Sequence, residues 1–321
     1  MSVDSICPVC SLKVESGPHI GLLVPMFRSW DHVDLLFTFV NKLNQEVAGG
    51  VSLTIVIDGC DQSEKKVREA IHKVDTMVRL VVLSRNFGVG PALRAGMREQ
   101  RECFTIAFGS DLQEPRDLFV NFAEELVEGS IDFVLGQRTS RDDPFFSIIF
   151  AKIYWTINRL FIFKDSPKGG FDVYGCNSTA RSALVSLEEH NTNITSQVLW
   201  LGFRRKFILF TRISRAEGKS TWSFRKKLGL FFDSIYSFSP RLLNRVTLLG
   251  SLSSIAFLCF AQRLNISVTF RIVVLGGLGG CYLSVLSGFV TRIYEQTKNR
   301  PTFVIRESTI LKSRKSIHSH G

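Results

Sequence analysis

Residues 103–127 read CFTIAFGSDLQEPRDLFVNFAEELV. Cys103–Phe108 is a short, largely apolar run, the pattern of a strand buried on both faces. A polar turn follows, Gly109 to Glu114, and Pro115 suits the opening of a helix. Beyond it Leu118, Phe119, Phe122 and Leu126 recur at helical spacing with acids opposite. Asp111 therefore lies just past a buried strand and just before a helix. Open α/β sheets place their ligand chemistry there.

The same unit repeats outward from this stretch. His19–Val24, Val51–Ile57, Leu80–Leu83 and Phe133–Leu135 read as further buried strands. Val33–Gln45, Ser63–Val74, Val89–Arg98 and Pro115–Val127 read as the helices between them. Strand–helix alternation with continuous apolar strands predicts an α/β, mostly parallel sheet covered on both faces. Functional residues are then expected at the strand ends: Pro25–Phe27, Asp58, Ser84–Asn86 and Asp111.

The chain has 321 residues, 45% of them apolar, so a full core is available. Its net charge is +11, yet zinc-finger spacing, an RNP-like strand and a base-reading basic helix are all absent from the sequence, which argues against nucleic acid. The basic residues crowd beside apolar segments instead, as in Arg225-Lys226-Lys227 and Arg241 to Arg245, a pattern suited to anionic lipid. Seven scattered cysteines make no disulfide framework, and Cys7-Pro8-Val9-Cys10 lacks the further ligands that zinc needs. A reduced, cytosolic set is expected, and residues 1–18 carry no apolar leader.

Later segments read differently. Residues 144–163 and 222–243 mix aromatic and basic residues and predict amphipathic helices lying at a membrane surface. Val246–Gln262 and Ile272–Thr291 are uncharged over 17 and 20 residues, enough to predict a transmembrane hairpin. Gly276, Gly277, Gly279 and Gly280 suit close helix contact within it. Arginines and lysines flank its outer ends, which predicts both termini on the cytoplasmic side. The expected organisation is an N-terminal extension over 1–18, the α/β domain over 19–221, juxtamembrane helices over 222–245, the hairpin over 246–292 and a cytoplasmic tail over 293–321.

Gly88-Val89-Gly90-Pro91-Ala92-Leu93 is a poor dinucleotide fingerprint, because Leu93 replaces the third glycine and the segment follows the third strand. Other motifs are more telling in their order: Val24-Pro25-Met26-Phe27, Ile57-Asp58-Gly59, Leu83 to Gly88, and Ser110 to Pro115. Gly136-Gln137-Arg138, Gly169-Gly170-Phe171-Asp172, Trp200 to Arg204, Arg215 with Gly218-Lys219-Ser220, and Arg292 to Pro301 come after them. Over roughly residues 19–307 the chain resembles a family 2 (GT-A) glycosyltransferase of the polyprenyl-phosphate sugar synthase type. It is similar to dolichyl-phosphate mannose synthases and undecaprenyl-phosphate glucosyltransferases, within a subgroup that has one acid before Leu-Gln-Glu-Pro and a Gly-Gly-x-Asp motif.

The resemblance implies transfer of a sugar from a UDP- or GDP-linked donor to the phosphate of a membrane polyprenol, with inversion. It implies that Pro25, Phe27, Asp58, Asn86 and Gln113 hold the nucleotide sugar, and that Asp111 ligates Mg²⁺ or Mn²⁺ on the diphosphate. Arg138, Arg215, Lys219 and Ser220 become candidates for the acceptor phosphate or the diphosphate. Read alone, Asp111 is a helix cap and the basic residues a solvated surface. Homo-oligomers are implied by the family, though nothing in the residues demands one.

The chain also departs from the family. One acid, Asp58, stands where two are common, and Gly109-Ser110-Asp111 replaces Asp-x-Asp. Arg28-Ser29 stand where an early acid is usual. Gly169-Gly170-Phe171 replaces Gly-Asp-Phe, so the expected base is missing, and Asp172 is the nearest acid. A phosphate monoester is largely dianionic at neutral pH and needs little base catalysis. The pattern therefore suits a phosphate acceptor, with Asp172 as base, orienting group or simple turn cap. Two alternatives remain open: transfer to a hydroxyl of a lipid-linked glycan, and a non-catalytic scaffold.

Overall fold

The structure is a computed structural model that describes residues 20–139, 170–190, 193–213, 240–264 and 267–312, with isolated positions between 156 and 167. Among the described residues eight strands form one sheet: β1 (Ile20–Met26), β2 (Val51–Ile57), β3 (Val78–Leu83), β4 (Phe104–Ala107), β5 (Phe133–Arg138), β6 (Phe171–Asn177), β7 (Arg205–Phe210) and β8 (Ile305–Lys312). Their order is β7-β5-β6-β4-β1-β2-β3-β8. Strands β6 and β8 run against the other six, so the sheet is mixed but mostly parallel.

Helices cover both faces, as continuous apolar strands require. On one side lie α1 (Val33–Glu46), α2 (Asp61–Ala70) and α4 (Arg116–Glu128). Their Phe37, Val67, Phe119 and Phe122 are buried against Leu22, Val24 and Ile55. On the other side α3 (Val89–Glu99), α5 (Ser178–Ser186) and α6 (Ile194–Trp200) bury Ala92, Leu184 and Val198 against Leu23, Val56 and Val81. Phe122 is fully buried, so Phe122→Ala would cost about 3–5 kcal/mol.

The two ends of the sheet differ in kind. At the amino end of the parallel strands a buried polar network centres on Glu102. Ser52 Oγ donates to Glu102 at 2.6 Å, Arg79 lies 3.8 Å from Glu102, and Arg181 donates to the Glu102 carbonyl at 2.6 Å. Buried polar groups paired in this way hold a fold together. The carboxyl end carries exposed loops instead.

The predicted strands and helices up to residue 138 are present, several with ends moved by one to three residues. Pro115 sits at the N-cap of α4, with Arg116 the first helical residue. The predicted helix over Ser63–Val74 starts earlier, at Asp61, and passes into a 3₁₀ turn at Ile71–Lys73.

The chain ends contain a departure. Part of the expected tail, Ile305–Lys312, is the edge strand β8, antiparallel to β3. Before it stand α7 (Pro240–Arg263) and α8 (Val268–Thr297). Among the described residues α8 alone is long and apolar enough to cross a membrane. α7 interrupts its apolar residues with Thr247, Ser251, Ser253 and Ser254, whose hydroxyls bond back to backbone carbonyls three or four residues earlier. The amphipathic segments predicted at 144–163 and 222–243 fall almost wholly outside the described residues.

Candidate active site

Strand register opens a crevice at the carboxyl end of the sheet. Strand β1 has β2 on one side and β4 on the other, so the strand order reverses there, and such switch points hold ligands. Ala107, the last residue of β4, pairs with Leu23. Strand β1 continues for three more residues, to Met26, which pairs with Ile57. Phe27 and Asp58 thus leave adjacent strand ends together, and the Gly109–Glu114 loop runs beside them.

Among the described residues, two of the three non-glycine residues with positive φ lie in this region: Arg28 at 54° and Leu112 at 49°. Such backbone is costly and gathers at functional sites. Arg28 follows Phe27, whose ring it covers at 5.2 Å, and Leu112 follows Asp111.

Asp58 is buried and accepts the N–H of Phe87 at 2.7 Å and of Gly88 at 2.9 Å, one on each carboxylate oxygen. Burial pushes its carboxyl above the ordinary value, against those two bonds and the Arg85 guanidinium. Asp58 therefore fastens the Ser84–Gly88 loop to the end of β2. Gly59 continues the fastening: its φ is +67°, and a methyl there would overlap the backbone of Arg85 and Asn86. Asn86 is exposed beside this junction, and Arg85 stacks on Phe87 at 4.1 Å.

Asp111 is partly exposed and lies 3.4 Å from Nη2 of Arg212. Arg212 is carried on a strap that leaves β7 and crosses to the Asp111 loop. Thr139 N–H donates to the Phe210 carbonyl at 2.9 Å, and the Thr139 and Thr211 hydroxyls are 3.0 Å apart. On the other side Ile213 N–H donates to the Gln113 carbonyl at 2.8 Å. Gln113 itself is buried.

Arg138 ends β5 at the same edge of the sheet, paired with Phe210. In β6, Val173 pairs with Gly136 and Phe171 with Gln137, so Asp172 has no cross-strand partner and forms a β-bulge. Because β6 runs antiparallel to β4, this bulge also lies at the carboxyl edge. Pro25, Phe27, Asp58, Asn86, Asp111, Gln113, Arg138 and the backbone of Asp172 are thus gathered along one edge. Arg215, Lys219 and Ser220 lie outside the described residues. Arg212 was missed by the sequence reading; the apolar run Phe207 to Phe210 was the available signal for the strand that delivers it.

The donor set fits a divalent metal only in a particular way. Among the described residues no three His, Cys, Asp or Glu side chains come together. Asp111 offers one partly exposed carboxylate, and Mg²⁺ is commonly held by one or two carboxylates with the rest supplied by substrate phosphates and water. The site fits a metal that shares its ligands between Asp111 and a bound diphosphate.

A two-sided, mostly parallel sheet with an acid beside its switch point defines an α/β enzyme of the GT-A type. Residues 24–188, a little over half of the chain, match the model of glycosyl transferase family 2, and the chain belongs to that family. It is a glycosyltransferase.

Relatives match along nearly their whole length. An uncharacterized glycosyltransferase of Synechocystis is 27% identical, over 90% of this chain and 95% of its own. The SfII prophage-derived bactoprenol glucosyl transferase of Shigella flexneri is 25% identical, over 90% of this chain and 98% of its own. Among solved structures, glucosyl-3-phosphoglycerate synthase from Mycobacterium tuberculosis superposes with a TM-score of 0.49 at 18% identity, covering 69% of this chain and 80% of its own.

Proposed function

We propose that this chain transfers a sugar from a nucleotide sugar to a polyprenyl phosphate at the cytoplasmic face of a membrane, with inversion at the anomeric carbon. The observation that carries this reading is the route from α8 to the site. Helix α8 spans 30 residues, about 45 Å, and exposes Ile272, Val273, Leu283, Leu286 and Val290. It ends at Thr297, and Lys298–Val304 link it to β8. Ile305 pairs with Leu83, and Ser84 N–H donates to the Val304 carbonyl at 3.0 Å, so the chain enters the sheet at its carboxyl edge. Eight residues span at most about 28 Å. The edge with Asp111 is therefore the edge tethered to the apolar helix, as a lipid-borne acceptor requires. The bactoprenol glucosyl transferases among the relatives support the same acceptor class.

In this reading Phe27, Asn86 and the loop fastened by Asp58 receive the nucleoside. Asp111 would hold Mg²⁺ or Mn²⁺, which neutralises charge on the departing nucleoside diphosphate. An oxygen of the lipid phosphate attacks the anomeric carbon while the bond to the diphosphate breaks. The nucleophile is already ionised, so the missing Gly-Asp-Phe acid is no obstacle. Asp172, on its bulge, serves to orient the acceptor. Ile213 is bonded to Gln113, and Arg215 follows two residues later, within about 7 Å of chain. That reach favours Arg215 as an acceptor-phosphate or diphosphate ligand, and Arg138, Lys219 and Ser220 are assigned the same role from their motifs alone. α7, with Leu248, Leu252, Ile255 and Phe260 exposed, would accompany α8 as the second span of a hairpin, leaving both termini cytoplasmic.

Membranes containing the protein, supplied in turn with labelled nucleotide sugars and polyprenyl phosphate, test this. A lipid product stable to mild base and cleaved by mild acid is expected. Label found on the hydroxyl of a lipid-linked glycan, or no turnover with any donor, would overturn the reading.

A further inference from the structure

We propose that Arg212 is the standing counter-ion of Asp111 and passes to the diphosphate when the donor binds. The inference rests on the donor reading above. Gly109 and Ser110 precede Asp111, so this stretch of the loop brings one carboxylate to this point. Arg212 meets that carboxylate at 3.4 Å. Its placement is built in: hydrogen bonds at Thr139 and at Gln113 hold the backbone on both sides of it.

A guanidinium and a divalent ion that share one carboxylate repel each other in a partly desolvated site, and an anion between them relieves that repulsion. A diphosphate supplies that anion. The guanidinium fork suits two phosphate oxygens at least as well as a carboxylate. Asp111 thus changes partner when the donor arrives, and Arg212 gains one. Arg212 is then a diphosphate-binding residue held in reserve by the residue that will take the metal.

The arrangement predicts a change of sign that a structural ion pair would not produce. In EDTA, Asp111 competes with phosphate for Arg212, so removing its charge should strengthen anion binding. With Mn²⁺ present, removing it should weaken donor binding. Inorganic pyrophosphate, titrated calorimetrically into the full chain in detergent with EDTA, reads the first effect. Asp111→Asn should bind it about threefold or more tightly than wild type, a size in keeping with a partly exposed pair. Arg212→Gln should bind it about threefold more weakly, and Asp111→Asn added to Arg212→Gln should bring no further gain. Arg212→Lys should keep the gain.

Unchanged or weaker pyrophosphate binding by Asp111→Asn in EDTA would overturn the proposal. So would a gain that persists in the Arg212→Gln background, since that is a general loss of negative charge. UDP and GDP with Mn²⁺ form a separate arm. If wild type binds neither while the pyrophosphate cycle holds, the donor reading fails and the pairing of Arg212 with phosphate stands.

Discussion

The Asp58 carboxylate is bonded to the backbone N–H of Gly88 at 2.9 Å, across the edge of the sheet from β2 to the loop after β3. With its second bond, to Phe87, it makes one acid the fastening of an entire loop wall. Asp58→Ala leaves two partly buried N–H groups without that acceptor, at a cost of about 1–3 kcal/mol. Gly59→Ala acts on the same junction and is the harsher change. It adds a left-handed backbone penalty of about 1–2 kcal/mol to a direct overlap with Arg85 and Asn86. Thermal melts should rank the stabilities as wild type, then Asp58→Ala, then Gly59→Ala. An equal melting point for Gly59→Ala would remove the close approach from the account.

Asp111 carries a different kind of prediction. It is partly exposed, and its replacement by Asn preserves shape, so folding should be little affected. Sugar transfer should fall by about 100-fold or more, the usual scale for losing a group that stabilises developing charge. Activity should also depend steeply on added Mg²⁺ or Mn²⁺, because one carboxylate holds such an ion weakly. Full activity of the wild type in excess EDTA would take Asp111 out of the metal role.

Acid sensitivity is set partly by Asp132, just before β5. It accepts the backbone N–H of Arg204 at 3.1 Å, the Arg204 Nε at 3.2 Å and the Asn177 amide at 3.0 Å. Burial pushes its carboxyl up, but these bonds prevail and hold it below the ordinary value of 3.8. A lowered pKa means stability that is fully present above that ordinary value and lost as pH falls through the folded one. Asp132→Asn should therefore lower stability by about 1–3 kcal/mol near pH 7 and much less near pH 2. Denaturant melts at the two pH values measure the difference; a constant difference would contradict it. Asp58 has the opposite sign, since its raised carboxyl contributes stability that is lost as pH rises.

The doubly covered strands were legible because their burial leaves continuous apolar runs, and β2 falls on Val51–Ile57 as its sequence predicts. Residues at the ends of those strands, Phe27, Asp58 and Asp111, were legible for the same reason. Strand β8 was not. It is an edge strand with a polar run, Arg306 to Thr309, at its centre, so Ile305-Arg306-Glu307-Ser308 reads as a solvated tail. The partner of Asp111 was hidden by distance: Arg212 is 101 residues away and arrives only because β7 lies beside β5.

Removal of β8 tests how far the tail belongs to the catalytic domain. Its residues pair with β3 from Val78 to Leu83. Arg68 reaches Glu307 at 2.7 Å, Arg306 pairs with Glu64, and Ser308 donates to Glu99 at 2.7 Å. At the helix end His190 meets the Arg300 carbonyl at 2.7 Å, and Gln296 donates to the Glu188 carbonyl at 3.2 Å. The ion pairs are partly exposed and each is worth little, so Arg306→Ala or Glu307→Ala should shift the melting temperature by no more than about 3 °C. The strand pairing is another matter. A chain ending at Val304 bares the whole β3 edge and gives up several ladder bonds at about 1 kcal/mol each. It should melt at least about 8 °C lower in detergent and aggregate on warming. Its transfer activity should fall further than its folded fraction if, as proposed, the α8–β8 connection brings the Asp111 edge to a lipid acceptor. Normal melting and normal transfer by the shortened chain would show that β8 neither completes the sheet nor positions the site.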